Sequence, residues 1–442
     1  MNGPINLTQI PQPHAFGPGD VFVLFGELFG RGYANGLVAQ ARAAGMTIVG
    51  ITVGRREPDG ILRPLNNEEL VAAEANLGGK IINVPLMAGF DMDAPAGTPT
   101  PTEMLGKLTL KTWTEDKLDW DHIAKCREIG VSRFKTSLAE VMTILNDMIP
   151  DGAQVFFAHT MAGGIPKAKV FLAIANRIYK GRGERHQSSD VLLQSDLGKL
   201  ILMNFDEVSA NTFGYLIEAS ASIHDRVKRT GGRVCYSAYG YHGTVILIGD
   251  QYKWQSYSNY TQGYAKLRLE RIAQDAWAQG VRATVYNCPE IRTNSSDIFS
   301  GVELPLFSLL RALRRENGGA WAEGIWKDCA ERLSDGEIGL AAVMQRISDF
   351  YSSEVMQRYA DFDAWPMANS QALADLMIGA SDDLVAMHKD RNALITDLLS
   401  SLVIESSGWL MFNESARPSG PVLWLNHDLI AQQLNWAHKV QS

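Results

Sequence analysis

The chain has 442 residues, of which 46% are hydrophobic and 20% charged, and its 41 Lys and Arg residues against 49 Asp and Glu residues give a net charge of −8. This length allows two or three domains, or one enlarged α/β domain, and it excludes a disulfide-stapled miniprotein. The acidic balance argues against a protein that binds nucleic acid or an anionic membrane, and it favours small-molecule or protein partners.

Hydropathy and cysteine usage favour a cytoplasmic protein. No apolar run approaches the ~20 residues that a membrane helix needs, and the start of the sequence has no signal-peptide pattern. The four cysteines are widely spaced and form neither a C-x-x-C pair nor a zinc-site pattern. We therefore expect reduced thiols and no metal site. The sequence does not decide between a monomer and a homo-oligomer.

The first 60 residues predict a βαβ unit. An apolar strand at Asp20–Phe25 is followed by a glycine-rich turn, then by a helix at Ala34–Ala44 that ends at Gly45, and then by a second apolar run, MTIVGITVG. The two strands would be parallel and buried on both faces.

Strand and helix patterns continue to alternate along the next 230 residues or so. Alternation of this kind predicts a doubly wound parallel sheet of the Rossmann type. The further strands are expected at Lys80–Pro85, Gln154–His159, Gly232–Ala238 and Val281–Asn287, with long helices between them that include Ser137–Met148 and Ser209–Thr230.

The last third of the chain changes to almost continuous helix. From about Gly301 to Leu402 no strand pattern is found, and a strand signal returns at Gly420–Asp428. We predict a dinucleotide-binding domain at residues 1–300, a helical cap inserted at 301–405, and a last strand and helix at 406–442 that return to the sheet. A separate C-terminal helical domain is the alternative.

The first turn carries a G-x-x-x-G-x-G pattern made by Gly26, Gly30 and Gly32, with Arg31 inside it. Glycines allow a tight turn and a close approach of the backbone to a pyrophosphate at the positive end of the helix.

Arg55 and Arg56 end the second strand, where arginine neutralises the 2′-phosphate of NADP. We therefore predict NADPH as the cofactor, with NADH as the alternative; an ordinary solvated basic turn is the other interpretation.

Tyrosines cluster before the helical pattern that begins near residue 266. Tyr257, Tyr260 and Lys266 lie in this region. A tyrosine hydroxyl can donate a proton to a developing oxyanion, and a nearby ammonium group favours the ionised tyrosine and can bind the nicotinamide ribose.

His159, at the end of a strand, could orient the nicotinamide or be a buried structural residue. Asp91 and Asp93 could contact adenine or lie in a solvated loop.

The segment Gly263–Thr293 resembles the catalytic helix and sixth strand of the short-chain dehydrogenase/reductase superfamily, and most of all those of the enoyl-acyl carrier protein reductases. The G-x-A-K helix start, the G-V-R strand and the P-x-I-R-T turn carry the resemblance. The residues matching that turn are Pro289, Ile291, Arg292 and Thr293. The resemblance implies that this turn and the glycine turn bind the cofactor, and that His159, Thr160 and Met161 end a strand over the nicotinamide.

The spacing of the catalytic pair departs from the common family patterns. The Tyr-x-x-x-Lys and Tyr-x6-Lys spacings would place the tyrosine at Gln262 or Asn259. Tyr257 has the Tyr-x8-Lys spacing of a divergent branch of trans-2-enoyl reductases, so it is the first choice for the catalytic acid and Tyr260 the second. In enoyl reductases a further tyrosine faces the thioester carbonyl, and Tyr239 or Tyr241 would take that place.

The resemblance implies an NADPH-dependent reductase of enoyl thioesters in fatty acid biosynthesis, with the acyl group on CoA or on an acyl carrier protein. Two alternatives stay open. One is a carbonyl reductase of the same superfamily, and the other is a non-catalytic dinucleotide-binding protein. The sequence contains no G-x-S-x-G, H-E-x-x-H or P-loop motif, which excludes the corresponding hydrolases, zinc proteases and nucleotide triphosphatases.

Overall fold

A parallel sheet of eight strands forms the centre of the protein in the computed structural model, which describes residues 5–13, 15–57, 60–164, 166, 168–240, 244–248, 251–254, 263–293, 301, 304–316, 318–358 and 370–441. The strands in chain order are β1 (Ile5–Asn6), β2 (Val21–Phe25), β3 (Thr47–Ile51), β6 (Lys80–Ile82), β7 (Val155–His159), β8 (Val234–Tyr239), β11 (Ala283–Asn287) and β12 (Val422–Trp424). Two hairpins lie outside it: β4 (Arg55–Arg56) with β5 (Leu62–Arg63), and β9 (Val245–Ile248) with β10 (Gln251–Trp254).

Helices cover both faces of the sheet. Their bounds are α1 (Ala34–Ala43), α2 (Asn67–Leu77), α3 (Pro101–Gly106), α4 (Trp120–Met148), α5 (Lys169–Lys180), α6 (Ser189–Gln194), α7 (Asp196–Asp206), α8 (Thr212–Ala219), α9 (Ala221–Arg229), α10 (Gly263–Ala278), α11 (Leu309–Arg315), α12 (Gly319–Glu331), α13 (Gly336–Ser352), α14 (Glu354–Gln357), α15 (Gln371–Ala386), α16 (Ile395–Glu414) and α17 (His427–Gln441). Among these described helices, none combines the length and the apolar character needed to cross a membrane.

The strand order β1-β12-β11-β8-β7-β2-β3-β6 confirms the predicted doubly wound sheet. The direction of winding reverses between β2 and β7, and all neighbouring strands are parallel. Every residue of β2 and β7 is buried, as continuous apolar runs between two helical layers require. In sheets of this kind ligands bind outside the carboxyl ends of the strands at the reversal point, which here lies after Phe25 and His159.

The alternation of side chains along β2 divides the core between the two faces. Phe22 and Leu24 belong to the hydrophobic cluster shared with α1, α16 and other helices of the C-terminal third. Val21, Val23 and Phe25 belong to the cluster on the opposite face, shared with α4, α8 and α10. The helices after residue 304 therefore share the core cluster on one face of the sheet, where Phe412 of α16 packs against Phe156 of β7.

Several element boundaries differ from the prediction. Residues 209–230 do not form one helix, because a π-helical turn at Glu207–Asn211 precedes α8 and the chain breaks again at Ser220. The predicted helix at Ser137–Met148 is only the end of the 29-residue α4. The C-terminal strand is shorter than predicted, since α17 already begins at His427. The edge strand β1 and the hairpin β9–β10 were missed because two to four residues give no clear period.

Candidate active site

The glycine turn begins at the reversal point of the sheet and packs closely against the end of β7. Gly26 has a φ of 134°, and a Cβ atom placed on it would lie 2.5 Å from Thr160 Oγ1. The Thr160 amide donates to the Phe25 carbonyl at 3.0 Å. A glycine is therefore required at position 26, whereas a Cβ at Gly30 or Gly32 would meet no atom within 4 Å. Gly26 and Thr160 are brought together as expected for a ligand-binding edge.

The rest of the turn leads into the N-terminus of α1. The Asn35 side chain donates to the carbonyls of Phe29 and Gly32 at 2.9 and 3.0 Å, which closes the turn over residues 29–35. Arg31 and Gly32 lie inside that closed turn. The open space around Gly30 and Gly32 and the amide-rich start of α1 fit a pyrophosphate, which needs backbone N–H groups and room for close approach.

Glu27 extends from this turn over the end of β3. Its Oε1 atom accepts hydrogen bonds from Thr52 Oγ1 at 2.8 Å, from the Val53 amide at 3.1 Å and from Arg55 Nη1 at 2.8 Å. Gly26 bridges Ile51, which aligns the turn with the second strand of the βαβ unit. A carboxylate therefore occupies the position where a dinucleotide fold reads the adenosine ribose. Glu27 was not identified from the sequence, although its place directly after the first glycine was the available signal.

The two arginines that follow β3, in the β4–β5 hairpin, take separate partners. Arg55 pairs with Glu27, and Arg56 Nη1 donates to the Gly60 carbonyl at 2.6 Å within the β4–β5 hairpin. Burial is the main cause that lowers the pKa of the Arg56 guanidinium. The interpretation of both arginines as a 2′-phosphate site did not include this carboxylate, which pairs with Arg55 in the structure.

The aspartates after β6 are engaged by neighbouring side chains and are not in a solvated loop. Asp93 forms a bidentate ion pair with Arg133, with N–O distances of 2.9 Å. Asp91 accepts from Thr102 Oγ1 and from Asn204 Nδ2, and its burial raises the pKa of its carboxyl group. Both aspartates tie the loop after β6 to neighbouring helices.

His159 is buried on the α8 side of the sheet. Its Nε2 atom lies 2.8 Å from Thr212 Oγ1, and its ring packs between Phe25 and Phe213. Burial, and next the charge of Lys266, lowers the pKa of His159 well below its usual value, so the imidazole is neutral. These contacts agree with the structural interpretation of a lone histidine. Met161, two residues after His159, is also buried.

Lys266 is the buried cation of the candidate site. It lies near the start of α10 with only 8% of its surface exposed, and its Nζ atom donates to the Tyr239 carbonyl at 3.0 Å at the end of β8. Burial lowers the pKa of Lys266 to about 8. The ammonium group is therefore held at the carboxyl edge of the sheet, beside the strand next to β7.

Tyr239 joins this lysine to a second tyrosine. Its ring stacks on Tyr33 with centroids 5.5 Å apart, and its buried hydroxyl has no hydrogen-bond partner among the described residues. Burial raises the pKa of Tyr239 well above its usual value, so the hydroxyl keeps its proton and can donate it. Tyr33 donates to the Pro289 carbonyl at 2.6 Å and was not identified from the sequence.

The turn at residues 289–293 is fixed between the sheet and the helical segment. Ile291 is fully buried, the Arg292 amide donates to Ser400 Oγ at 2.9 Å, and the Arg292 side chain pairs with Asp397 on α16. Thr293 is half-buried at the last described position of the turn. Arg292 therefore holds the turn through protein contacts, while Pro289 and Ile291 lie next to Tyr33 at the ligand edge.

A buried amide and carboxylate connect the helix of Lys266 to the sheet. Glu270, one turn after Lys266, accepts from Asn287 Nδ2 at 2.8 Å, and both side chains are buried. A Cβ at Gly240 would lie 2.1 Å from Asn287 Oδ1, so only glycine fits there. This contact fixes the height of α10 over β8 and β11 and so the position of Lys266.

Three tyrosines named in the sequence analysis, Tyr241, Tyr257 and Tyr260, lie outside the described residues. In the ranges that are described, no group of three or more His, Cys, Asp or Glu side chains could hold a metal ion. The four cysteines are buried and free.

Comparison with known proteins places the chain among reductases. A family model described as enoyl-acyl carrier protein reductase FabMG matches residues 3–434. The apo structure of a FabMG protein is 67% identical, covers 100% of this chain and 99% of its own, and has a TM-score of 0.96. An NADH-bound FabMG structure is 57% identical, with 99% and 100% coverage and a TM-score of 0.81. No curated protein matches the sequence significantly.

Proposed function

The chain belongs to the FabMG family of enoyl-acyl carrier protein reductases, which are NAD(P)H-dependent oxidoreductases, and from this premise we propose that it uses NADH to reduce the C=C bond of an enoyl thioester. The resemblance to enoyl reductases, drawn from Gly263–Thr293, is confirmed by this membership. The observation that carries the proposal is the buried ammonium group of Lys266, held at the ligand edge of the sheet beside Tyr239.

The described residues fit a nicotinamide dinucleotide. A Cβ at Gly26 would fill the space between the turn and Thr160, and the buried Tyr239 hydroxyl is left without a partner in the described part of the chain. The glycine turn of Gly30, Arg31 and Gly32 would hold the pyrophosphate. Thr160, Pro289, Ile291 and Thr293 would border the nicotinamide, and Lys266 would bind its ribose. When bound, the cofactor supplies the hydride.

The protein's own groups would stabilise the charge that develops on the substrate. As hydride reaches the β-carbon, negative charge moves to the thioester oxygen, and a tyrosine hydroxyl donates a hydrogen bond to that enolate oxygen. We assign this role to Tyr257, with Tyr260 as the alternative and Tyr239 as a second donor. Lys266 would favour the ionised tyrosine and hold the ribose in place. Transfer of a proton from water to the α-carbon of the enolate then completes the saturated thioester.

This assignment is tested by turnover of purified protein and of two tyrosine variants. We expect oxidation of NADH in the presence of a trans-2-enoyl thioester and none with a panel of ketones. Tyr257→Phe should lower kcat by about 100-fold or more, as loss of an acid catalyst does, with little change in NADH affinity. The matched variant Tyr260→Phe should retain activity; the opposite result would assign the acid to Tyr260. Turnover of ketones alone would instead indicate a carbonyl reductase. Cofactor binding without turnover of enoyl thioesters or ketones would indicate a non-catalytic binding protein.

NADH is proposed over NADPH because of Glu27. Its carboxylate can accept a hydrogen bond from a ribose 2′-hydroxyl, whereas a 2′-phosphate would meet a like charge that already engages Arg55. We expect Glu27→Gln to raise the kcat/KM ratio of NADPH to NADH about tenfold or more, since like-charge repulsion is removed while shape is kept.

The control for this prediction is Glu57→Gln. Glu57 is an exposed carboxylate near the same hairpin and pairs with Arg63 instead. Its substitution should leave the cofactor ratio unchanged. If Glu27→Gln also leaves that ratio unchanged, Glu27 does not select the cofactor.

The helical segment at residues 301–405 stays a predicted cap. Its helices share the core cluster on one face of the sheet, and α16 contacts the turn at Arg292 through Asp397 and Ser400. We propose that it borders the acyl chain, because it is the apolar element next to that turn.

A further inference from the structure

A basic helix follows the strand that ends at the ligand edge. Residues 169–185 contain five lysines and arginines and one acidic residue, within a chain whose net charge is −8. Lys169, Arg177 and Arg185 are exposed, and so is 48% of Leu172 between the first two of them. On α5 the exposed residues Lys169, Leu172 and Arg177 share one side of the helix, opposite the buried Phe171 and Ile174.

This helix belongs to an unusually long connection. The crossover between His159 and Val234 has 74 residues, whereas a dozen or more suffice to join parallel strands. The buried face of α5 shares a hydrophobic cluster with Ala265, the residue before Lys266. The basic side of α5 therefore faces away from the cluster that α5 shares with the start of the helix carrying Lys266.

We propose that the α5 surface, made by Lys169, Leu172, Asn176, Arg177 and Arg185, receives the acidic face of the carrier protein that delivers the enoyl thioester. This inference rests on the proposed function and names the docking place of its partner. Basic side chains attract an acidic partner over about one Debye length, ~8 Å at physiological salt. The attraction raises the association rate and fixes the orientation in which the thioester-bearing arm meets the ligand edge.

Two further observations favour a protein over a free phosphate or a nucleic acid as the occupant. Leu172 places an exposed apolar side chain among the cations, and apolar contacts surrounded by charge are typical of protein interfaces. Arg182, in contrast, is already engaged by Asp382 of α15. The α5 surface therefore meets an acidic side chain on its α15 side. A polyanion that extended beyond α5 in that direction would be repelled.

The test compares one acyl group on two carriers. The double variant Arg177→Glu, Arg185→Glu should lower kcat/KM about tenfold or more for the enoyl group on acyl carrier protein, because charge complementarity acts on association. The same variant should turn over the uncharged N-acetylcysteamine thioester like the wild type. Fluorescence anisotropy of labelled carrier protein should show weaker binding to the variant at low salt.

The matched control is Lys228→Glu, Arg229→Glu. These exposed residues end α9 and lie near the start of β8, at the opposite edge of the sheet. The control variant should change neither kcat/KM for the carrier-bound enoyl group nor the binding of the carrier protein.

Three results would overturn the docking proposal: unchanged carrier binding in the α5 variant, equal rate losses on both thioesters, or equally α5-dependent binding of DNA or anionic vesicles. Because binding is measured without turnover, a wild type that binds the carrier but reduces neither thioester would contradict the proposed function alone.

Discussion

Lys266 is the residue whose burial has the clearest thermodynamic consequence. Its pKa falls from 10.5 to about 8 on folding, because the ammonium group leaves water. Between pH 8 and 10.5 the unfolded chain therefore holds a proton that the folded chain has released, so this group makes stability rise with pH in that window. Below pH 8 both states are protonated, and burial of the charge only costs stability.

We expect this linkage to appear as a difference between wild type and Lys266→Met. The free energy of unfolding of the wild type, minus that of the variant, should become more favourable by roughly 1–2 kcal/mol from pH 8 to pH 10. Urea denaturation without cofactor at both pH values measures it. Use of the difference removes the contribution of other titrating groups. A difference that stays flat or falls with pH would show that Lys266 is not desolvated as described.

Partners of single side chains were the part of the site that sequence could not predict. The periodicity placed His159 correctly at the end of β7, whereas Arg55 and Arg56 lie beyond the end of β3, in the β4–β5 hairpin. It could not indicate that Glu27, 28 residues before Arg55, would engage that arginine, or that Thr212 would contact the histidine. Such contacts depend on the twist of the sheet and on loop paths that leave no periodic signal.

Among the elements, the sheet strands were predictable because burial on both faces demands continuous apolar runs. Lys80–Pro85 and Gln154–His159 matched β6 and β7 within a few residues. The interruption after α7 was not predictable, since the π-helical turn places Ser209 against Gly163 and Thr212 against His159, which are tertiary contacts. The residues around the π-helical turn would also fit a continuous α-helix, so the sequence does not show the interruption.

The contact between α1 and α16 depends on two glycines that lie opposite each other. A Cβ at Gly36 would lie 2.1 Å from the Ile404 carbonyl oxygen, and one at Gly408 would lie 2.3 Å from the backbone of Gly36. Because backbone atoms cannot yield as a flexible side chain can, Gly36→Ala should destabilise the fold by about 2–3 kcal/mol. Urea denaturation measures this loss.

The matched control is Gly324→Ala on α12. A Cβ there would meet no atom within 4 Å, so alanine should stabilise the protein by about 0.5–1 kcal/mol through its better helix propensity. If Gly36→Ala were as stable as the wild type, the two helices would not pack at the described distance.

At the scale of the whole molecule, one hydrophobic cluster joins the sheet to the C-terminal helices. It contains Phe22 and Phe156 from the sheet together with Leu399 and Val403 from α16. The strand β12, which follows the helical segment in the chain, enters the sheet between β11 and β1. The length of that segment and the strand after it could be predicted from the sequence. The pairing of Ile5–Asn6 with β12 could not be predicted, because it joins residues more than 400 positions apart.

In the proposed reaction, hydride passes from NADH to the β-carbon of an enoyl thioester. Incubation of the purified protein with [4-²H]NADH, deuterated on the transferred face, and a trans-2-enoyl thioester tests it directly, with the product analysed by mass spectrometry and NMR. We predict one deuterium per NADH consumed, at C3 of the saturated thioester. Deuterium on a carbinol carbon of an added ketone, with the enoyl thioester unchanged, would contradict the claim.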